Sequence, residues 1–86
     1  MPTPSGVPRY RHLADEIRRR MDRGRVGYRP GDRLEAEPAI VQWSGYSRET
    51  VRAALKLLRA EGRLRVVLGV GTFIAEREKW QAPLRG

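Results

Sequence analysis

The feature that most constrains this chain is the segment from Ser47 to Leu58, in which two kinds of side chain recur at helical spacing. At about 100° per residue, each kind forms its own stripe along an α-helix, and the two stripes lie roughly 100° apart. A helix of this type must bury its apolar stripe in a core and leaves the basic stripe on the surface. The apolar stripe is Val51, Ala54, Leu55 and Leu58, and the basic stripe is Arg48, Arg52, Lys56 and Arg59.

The ends of this helix are marked by residues that favour helix termini. Ser47 is a good N-cap, and Glu49 places a negative charge in the first turn, where the helix dipole favours it. Gly62 is a typical stop residue. The sequence therefore predicts a helix over about residues 47–61.

Two earlier helices are predicted. Over about residues 9–23 an apolar stripe precedes a cluster of arginines and Gly24, which suit the C-terminal end of a helix. A second helix begins near Pro38, which is tolerated in a first turn, and ends at Ser44-Gly45-Tyr46. A break this short between two helices is typical of a helix-turn-helix. The stripe of the first helix is Tyr10, Leu13, Ala14, Ile17 and Met21.

The remaining segments complete the predicted fold. Leu34, after a Pro-Gly turn, is expected in the core within a very short strand, and residues 64–68 and 72–75 form a hairpin around Gly69-Val70-Gly71. Residues 1–8, with three prolines, are expected to be a flexible arm, and residues 76–86 a tail that is either a short helix or disordered. The predicted fold class is α+β: a winged helix-turn-helix over residues 9–75, with three helices followed by a β-hairpin wing at 64–75.

Charge and composition restrict the function. The 18 basic and 10 acidic residues give a net charge of +8, which favours a polyanionic partner. The absence of cysteine excludes disulfides and thiolate metal sites. Apolar runs are far shorter than the roughly 20 residues that span a bilayer, and the N-terminus lacks a secretory signal pattern. We therefore expect a cytoplasmic protein with no membrane contact.

Four motifs, in this order and spacing, resemble the DNA-binding domain of GntR-type bacterial transcription regulators. They cover about three quarters of the chain. The resemblance implies a regulator that binds double-stranded DNA, with the third helix in the major groove and the wing over the adjacent backbone or minor groove. It implies a repressor that acts by occupying promoter DNA. The motifs are Tyr10 to Arg18 (Y-x-x-L-A-D-E-I-R), Pro30 to Leu34 (P-G-D-R-L), Ser47 to Leu58 (S-R-x-T-V-R-x-A-L-x-x-L) and Glu61 to Ile74 (E-G, then G-x-G-T-F-I).

The resemblance also implies roles for single residues. Arg48 and Arg52 are expected to contact base edges or phosphates, since the planar fork of arginine bonds guanine O6 and N7 together. Ser47 and Thr50 are expected to bind phosphate near the helix start, and Gly71 to let the wing approach the DNA backbone. Strand alternation leaves open whether Arg63 or Arg65 points away from DNA. The predicted DNA-binding residues are Ser47, Arg48, Thr50, Arg52, Lys56, Arg63, Arg65, Gly69 and Gly71.

The chain departs from the family pattern in two places. Where the family usually has L-P-S-E-R, this chain has Leu34-Glu35-Ala36-Glu37-Pro38, which lacks the capping serine and the arginine and adds a negative charge near the expected DNA surface. The wing tip is Val70, where a basic or polar residue is usual, and Val66-Val67-Leu68 make the hairpin unusually apolar. An alternative function is therefore a protein-protein interaction module with only non-specific DNA affinity. Only about a dozen residues follow the wing, so no effector domain is expected in this chain.

Other candidate sites have ordinary explanations. His12 and Glu16 stand four residues apart and are better explained as a surface ion pair than as metal ligands. The carboxylates at 32, 35 and 37 suit a loop and a helix start rather than acid–base chemistry, and the Gly69–Gly71 segment lacks the lysine of a phosphate-binding loop. Trp43 and Tyr46 are expected to pack in the core or the turn rather than stack on bases. No catalytic constellation is present, so no enzyme, metal or cofactor is expected.

The oligomeric state stays open at the level of sequence. A single small domain has a limited footprint on DNA, and high specificity normally requires two copies on adjacent half-sites. A homodimer formed on DNA is one arrangement that meets this requirement.

Overall fold

The computed structural model describes residues 8–81, and its elements follow the predicted order. Three helices precede an antiparallel hairpin, which confirms the α+β winged helix-turn-helix. Residues 1–7 and 82–86, which belong to the predicted arm and tail, lie outside the described residues. Within residues 8–81 no helix is long and apolar enough to cross a membrane. The elements are α1 (Arg9–Asp22), α2 (Glu37–Ser44), α3 (Arg48–Ala60), β1 (Leu64–Val67), β2 (Gly71–Ile74) and one turn of 3₁₀ helix (Arg77–Lys79).

The core lies between α1 and α3 and is closed by α2 and the hairpin. Its members are the apolar stripes that periodicity identified on the first and third helices, so the inward face of α3 is the predicted one. Leu34 is also buried, as expected. The largest fully buried apolar side chains are Leu13, Ile17, Met21, Ile40, Val51, Leu58 and Ile74.

The helix-turn-helix is shaped by two helix ends. α2 ends at Gly45, whose φ of +77° places it in the left-handed region that favours glycine. α3 begins after Ser47, whose Oγ accepts a hydrogen bond from the backbone N–H of Thr50 at 3.2 Å, which confirms the predicted cap. At the start of α2, Ala36 provides no side-chain cap, and Pro38 lies in the first turn.

The wing is anchored to the helical body along one edge. β1 and β2 pair from Leu64–Ile74 to Val67–Gly71. On the outer edge of β2, the N–H of Leu34 donates to the carbonyl of Thr72 at 2.8 Å, and an isolated bridge joins Arg33 to Phe73. The very short strand that the sequence predicts at Leu34 is therefore only one isolated β-bridge, and it is formed by the preceding residue, Arg33.

The segment after the wing folds back onto the end of α3. The indole N–H of Trp80 donates to the carbonyl of Ala75 at 2.9 Å, and the N–H of Gln81 donates to the carbonyl of Glu61 at 2.9 Å. Of the two alternatives left open for the tail, the described part contains a short helix, the exposed 3₁₀ turn Arg77–Lys79, and Trp80 after it packs against the core.

A buried ion pair connects α1 to the C-terminal end of α3, where Glu61 lies. Glu61 is 0% exposed, and its two carboxylate oxygens each accept a hydrogen bond from Arg18 at 2.9 Å. Arg18 also donates to Asp15. Burial by itself lowers the pKa of Arg18, but its bonds to these carboxylates outweigh that effect and raise the pKa above its ordinary value.

Candidate nucleic-acid interface

The solvent side of α3 carries four basic side chains. The core-facing side of α3 is buried, since Val51, Ala54 and Leu58 are each 0% exposed. The stripe at 100° from that buried side is therefore turned to solvent. We call this stripe the basic face of α3, and it consists of Arg48, Arg52, Lys56 and Arg59, all of them exposed.

The beginning of α3 brings two of the predicted site residues together. The Oγ of Ser47 donates to the Oγ1 of Thr50 at 3.0 Å while accepting the backbone N–H of the same residue. Helix geometry leaves the first N–H groups of α3 without partners inside the helix, and the helix dipole makes this end attractive to anions. The arrangement suits a phosphate, with Arg48 as the adjacent positive charge.

Arg52 is held by a residue whose role the sequence analysis missed. Its Nε–H donates to Oε1 of Glu37, in the first turn of α2, at 3.1 Å. The side chains are 61% and 38% exposed, so the pair lies on the surface that the basic face occupies. The opposite charges of Glu37 and Arg52, on helices that a helix-turn-helix brings together, were the available signal.

An open groove separates α3 from the wing. Apolar side chains of both elements line it, and the basic face of α3 supplies positive charge. We call it the α3–wing groove; its lining residues are Glu37, Arg52, Leu55, Lys56, Arg59, Leu64, Val66 and Thr72.

The two wing arginines differ in a way that corrects the prediction for one of them. Arg63 is only 7% exposed: its guanidinium donates to Asp22 at 3.0 Å and stacks over the ring of Trp80 at 4.8 Å. Its charge is therefore paired and covered, and Arg63 is removed from the predicted DNA contacts. Arg65 is exposed, but it pairs with Phe73 across the hairpin and lies over that ring at 5.6 Å.

The wing glycines meet different needs. Gly69 lies in the hairpin turn with φ +78°, where glycine is favoured. At Gly71, an added Cβ would lie 2.8 Å from Nε of Arg33. The close neighbour of position 71 is therefore the flexible side chain of Arg33, which is exposed and could move aside, whereas the predicted approach of a DNA backbone stays a prediction.

Glu35, the acidic residue in place of the family's usual proline, has its charge engaged within the fold. Its Oε1 accepts hydrogen bonds from the hydroxyl of Tyr28 at 2.6 Å and from the indole N–H of Trp43 at 2.8 Å. Arg20 stacks on Trp43 at 3.8 Å and donates to Tyr28. Burial raises the pKa of Tyr28, and the bond to Glu35 adds to that effect while Arg20 opposes it. The cluster joins α1 to α2, and Trp43 packs against the core as predicted, like Tyr46.

The expected ion pair between His12 and Glu16 does not form. Glu16 instead accepts from Arg19 at 2.8 Å and from Arg20 at 3.1 Å, and Nε2 of His12 is buried without a hydrogen bond. Glu16 pairs with these two guanidinium groups because they are permanently charged and lie within one helical turn of it. In residues 8–81 no group of three His, Cys, Asp or Glu side chains is placed to hold a metal ion. Asp32 stabilises its loop by accepting hydrogen bonds from the backbone N–H groups of Gly27 and Arg29.

Comparison with known proteins identifies a family. The family model described as "Bacterial regulatory proteins, gntR family" matches residues 9–74. The chain is 42% identical over 69 residues to the mannosyl-D-glycerate transport/metabolism system repressor MngR of Escherichia coli (strain K12), covering 80% of this chain and 28% of that protein. It is 37% identical over 75 residues to the histidine utilization repressor of Klebsiella aerogenes, covering 87% of this chain and 30% of that protein. The chain thus spans less than a third of the length of these two relatives.

Solved structures show the same architecture. The DNA-binding domain of AraR in complex with operator ORE1 superposes with a TM-score of 0.75 at 31% identity, covering 87% of this chain and 89% of that chain. A transcriptional antiterminator from Listeria monocytogenes EGD-e superposes with a TM-score of 0.77 at 26% identity, covering 96% of this chain and 61% of that chain.

Proposed function

The chain belongs to the gntR family of bacterial regulatory proteins, and we propose that it binds operator DNA sequence-specifically and represses transcription. α3 enters the major groove, and the hairpin lies over the adjacent backbone. The proposal is supported by two relatives that are named repressors and by a similar domain solved on its operator. Repression follows from occupying promoter DNA in the cytoplasm and requires no catalysis and no cofactor.

The observation that carries this proposal is the basic face of α3. An α-helix with side chains is about 10–12 Å wide, which matches the roughly 12 Å width of the major groove. Arg48 and Arg52 lie in the first two turns, where recognition helices contact bases. Lys56 and Arg59 follow on the same stripe and neutralise phosphates, as does the N-terminus of α3 with Ser47 and Thr50.

A second candidate function is an interaction module that contacts another protein through the wing. The observation in its favour is that the wing exposes Val66, Leu68 and Val70. Such a module retains DNA only through charge, so unselected DNA competes with any duplex equally well. A regulator that reads sequence discriminates between them.

The test is a titration on a duplex selected from a random DNA pool. Replacing Arg48 or Arg52 by alanine is expected to weaken binding by about 1–3 kcal/mol for each residue that reads a base. Arg25→Ala is the matched control, because it removes the same charge from an exposed loop residue that is not part of α3. Unchanged affinity in both α3 variants, or equal competition by unselected DNA, would overturn the proposal.

The selected sequence also tests the assembly. We expect an inverted repeat, because two copies of a small domain on adjacent half-sites provide the footprint that specificity needs. A single asymmetric site would contradict a homodimer on DNA.

A further inference from the structure

The two-stranded hairpin has one occupied edge and one free edge. On the outer edge of β2, the carbonyl of Ile74 accepts the N–H of Gly31, and the N–H of Ile74 donates to the carbonyl of Asp32, both at 2.8 Å. Within residues 8–81 no segment pairs in this way with the outer edge of β1. We call this outer side of β1 the free edge.

The strand register identifies the backbone groups that lie at the free edge. In an antiparallel ladder, hydrogen-bonded and non-hydrogen-bonded residue pairs alternate. The N–H of Ala75 donates to the carbonyl of Arg63 at 2.9 Å, so the next pair, which contains Leu64, is non-hydrogen-bonded. The pair that contains Val66 is of the same kind. The N–H and C=O groups of Leu64 and Val66 therefore point outward, and they have no backbone partner among the described residues.

β1 lacks the features that usually protect an exposed strand edge. Such edges are commonly blocked by proline, by a bulge or by charged side chains. Residues 64–67 contain no proline, and their register with β2 is unbroken. The charged side chain of this strand, Arg65, lies over the ring of Phe73 at 5.6 Å and so extends across β2, away from the free edge. Val66 is 39% exposed, which leaves the edge open to a further strand.

Positive charge lies beside the free edge. Leu64 and Val66 line the α3–wing groove together with Lys56 and Arg59. In the part of the chain that the structure describes, neither of these two cations forms an ion pair with a carboxylate. Side chains directly opposite each other on paired strands share a face. A strand added beyond β1 therefore turns the side chains that lie opposite Leu64 and Val66 towards these cations, where carboxylates are favoured.

We propose that the free edge of β1 binds an extended acidic segment of another protein by strand addition. The backbone of the segment exchanges hydrogen bonds with Leu64 and Val66, and its acidic side chains lie towards Lys56 and Arg59. Main-chain hydrogen bonds supply affinity in this mode of recognition, and the side chains supply specificity. The inference goes beyond the proposed function and is tested on the protein without DNA.

The chemistry of the edge favours a polypeptide over DNA or a second copy of this chain. The edge presents both N–H donors and C=O acceptors, and a peptide strand supplies the complement of both. Phosphate oxygens only accept hydrogen bonds, so they leave the carbonyl groups of the edge unpaired. A second copy brings a net charge of +8 towards the same cations. An acidic segment satisfies the backbone groups and the charges together.

The experiment measures amide hydrogen exchange by NMR on the full chain. The probe is an octapeptide in which glutamate and threonine alternate, since threonine favours strands. In the free protein the amide of Val66 should exchange faster than those of Arg65 and Val67, which face β2. The probe at about ten times its Kd should slow exchange at Val66 about tenfold, because only the unbound protein exchanges. The same peptide with lysine in place of glutamate should cause no slowing.

N-methylated peptides separate strand addition from simple attraction of charge. Residues of a strand turn their backbone groups alternately to its two edges. In the proposed pairing the glutamates lie opposite Leu64 and Val66, so the glutamate amides face β1. Methylating the glutamate amides should abolish binding, whereas methylating the threonine amides should leave it nearly unchanged.

A pair of charge variants tests the orientation of the bound segment. Lys56→Gln with Arg59→Gln should weaken binding of the probe about three- to tenfold through the loss of two exposed ion pairs. Arg23→Gln with Arg25→Gln is the matched control, because it removes the same charge from exposed residues that do not line the groove. This control should bind the probe like the unchanged protein.

Several results would overturn the inference. They are the absence of slowing at Val66, equal binding of the two methylated peptides, and equal binding of the lysine peptide. Protection of Val66 that disappears on dilution of the protein alone would assign the edge to a second copy. Protection by a selected DNA duplex, but not by the probe, would assign it to the DNA interface. The titration on the selected duplex decides separately whether α3 reads DNA, so failure of one proposal leaves the other standing.

Discussion

Glu37 at the start of α2 holds Arg52 on α3 through a single hydrogen bond of 3.1 Å from Nε. Exposed pairs of this kind contribute only about 0–1 kcal/mol to stability. The pair matters for geometry instead. The hydrogen bond from Nε to Glu37 orients the guanidinium of Arg52, and its two terminal nitrogens have no hydrogen-bond partner among the described residues. Terminal guanidinium nitrogens are the pair that can bond guanine O6 and N7 together. Under the proposed function, in which Arg52 contacts DNA, Glu37 is therefore a positioning residue.

Replacing Glu37 by alanine is expected to reduce discrimination between selected and random duplexes by up to about tenfold, since the bidentate contact that Glu37 orients is worth about 1–3 kcal/mol of discrimination in all. Affinity for random DNA should rise, because a negative charge leaves the binding surface. Fluorescence anisotropy on both duplexes measures the two effects. Glu49→Ala is the control, as Glu49 is another exposed carboxylate near the start of α3. Identical behaviour of the two variants would contradict a positioning role for Glu37.

The sequence predicted α3 well because its pattern depends on local geometry alone. The 3.6-residue repeat separates Val51 and Leu58 from the basic face whatever the rest of the chain does. The cap at Ser47 is equally local, because its partner is Thr50. The order of the helices and the hairpin follows from the same local signals.

Arg63 and Arg65 show which contacts local sequence patterns do not predict. The partner of Arg63 is Asp22, 41 residues earlier in the chain, and its ring partner Trp80 comes from the folded-back tail. Strand alternation placed Arg63 and Arg65 on equal terms, and only packing distinguishes them. The bond between Glu37 and Arg52 was missed for the same reason, since it joins two helices 15 residues apart.

The buried carboxylate of Glu61 should dominate the stability of the domain. Glu61→Gln removes the buried counter-ion of Arg18 and leaves the half-exposed Asp15 as its carboxylate partner, and breaking a buried pair costs up to about 3–5 kcal/mol. The double variant Arg18→Met with Glu61→Gln should be destabilised by less than the sum of the single changes, because no buried guanidinium lacking its Glu61 partner remains. Urea unfolding measures all three variants, with the exposed Glu76→Gln as control. Additive effects would show that the pair is not coupled.

Glu16 gives a pH dependence whose sign follows from its partners. Hydrogen bonds from Arg19 and then Arg20 hold the pKa of Glu16 below its ordinary value of 4.5. A lowered native pKa stabilises the fold above the unfolded value, and that contribution is lost as pH falls through the native value. The difference in unfolding free energy between the unchanged protein and Glu16→Gln should therefore be constant near neutral pH and shrink below about pH 4.5. Urea unfolding from about pH 7 to pH 3 measures it. A difference that grows in acid would contradict the pairing.

Gly62 and Gly45 separate two reasons for requiring glycine. Their φ angles are nearly the same, +75° and +77°. A Cβ at position 45 meets nothing within 4 Å, whereas one at position 62 would lie 2.0 Å from the backbone oxygen of Lys79. Gly45→Ala should therefore cost about 1 kcal/mol for the left-handed backbone alone. Gly62→Ala should cost more, because α3 and the folded-back segment must also move apart.

That movement has its own readout at Trp80. Displacing residues 79–81 breaks the bond from Gln81 to the carbonyl of Glu61 and exposes the indole that packs on the core. In a Trp43→Phe background Trp80 is the only tryptophan, so its emission should shift to the red in Gly62→Ala and stay unchanged in Gly45→Ala. Equal unfolding free energies for the two alanine variants, with no shift in either, would mean that the segment does not press against Gly62.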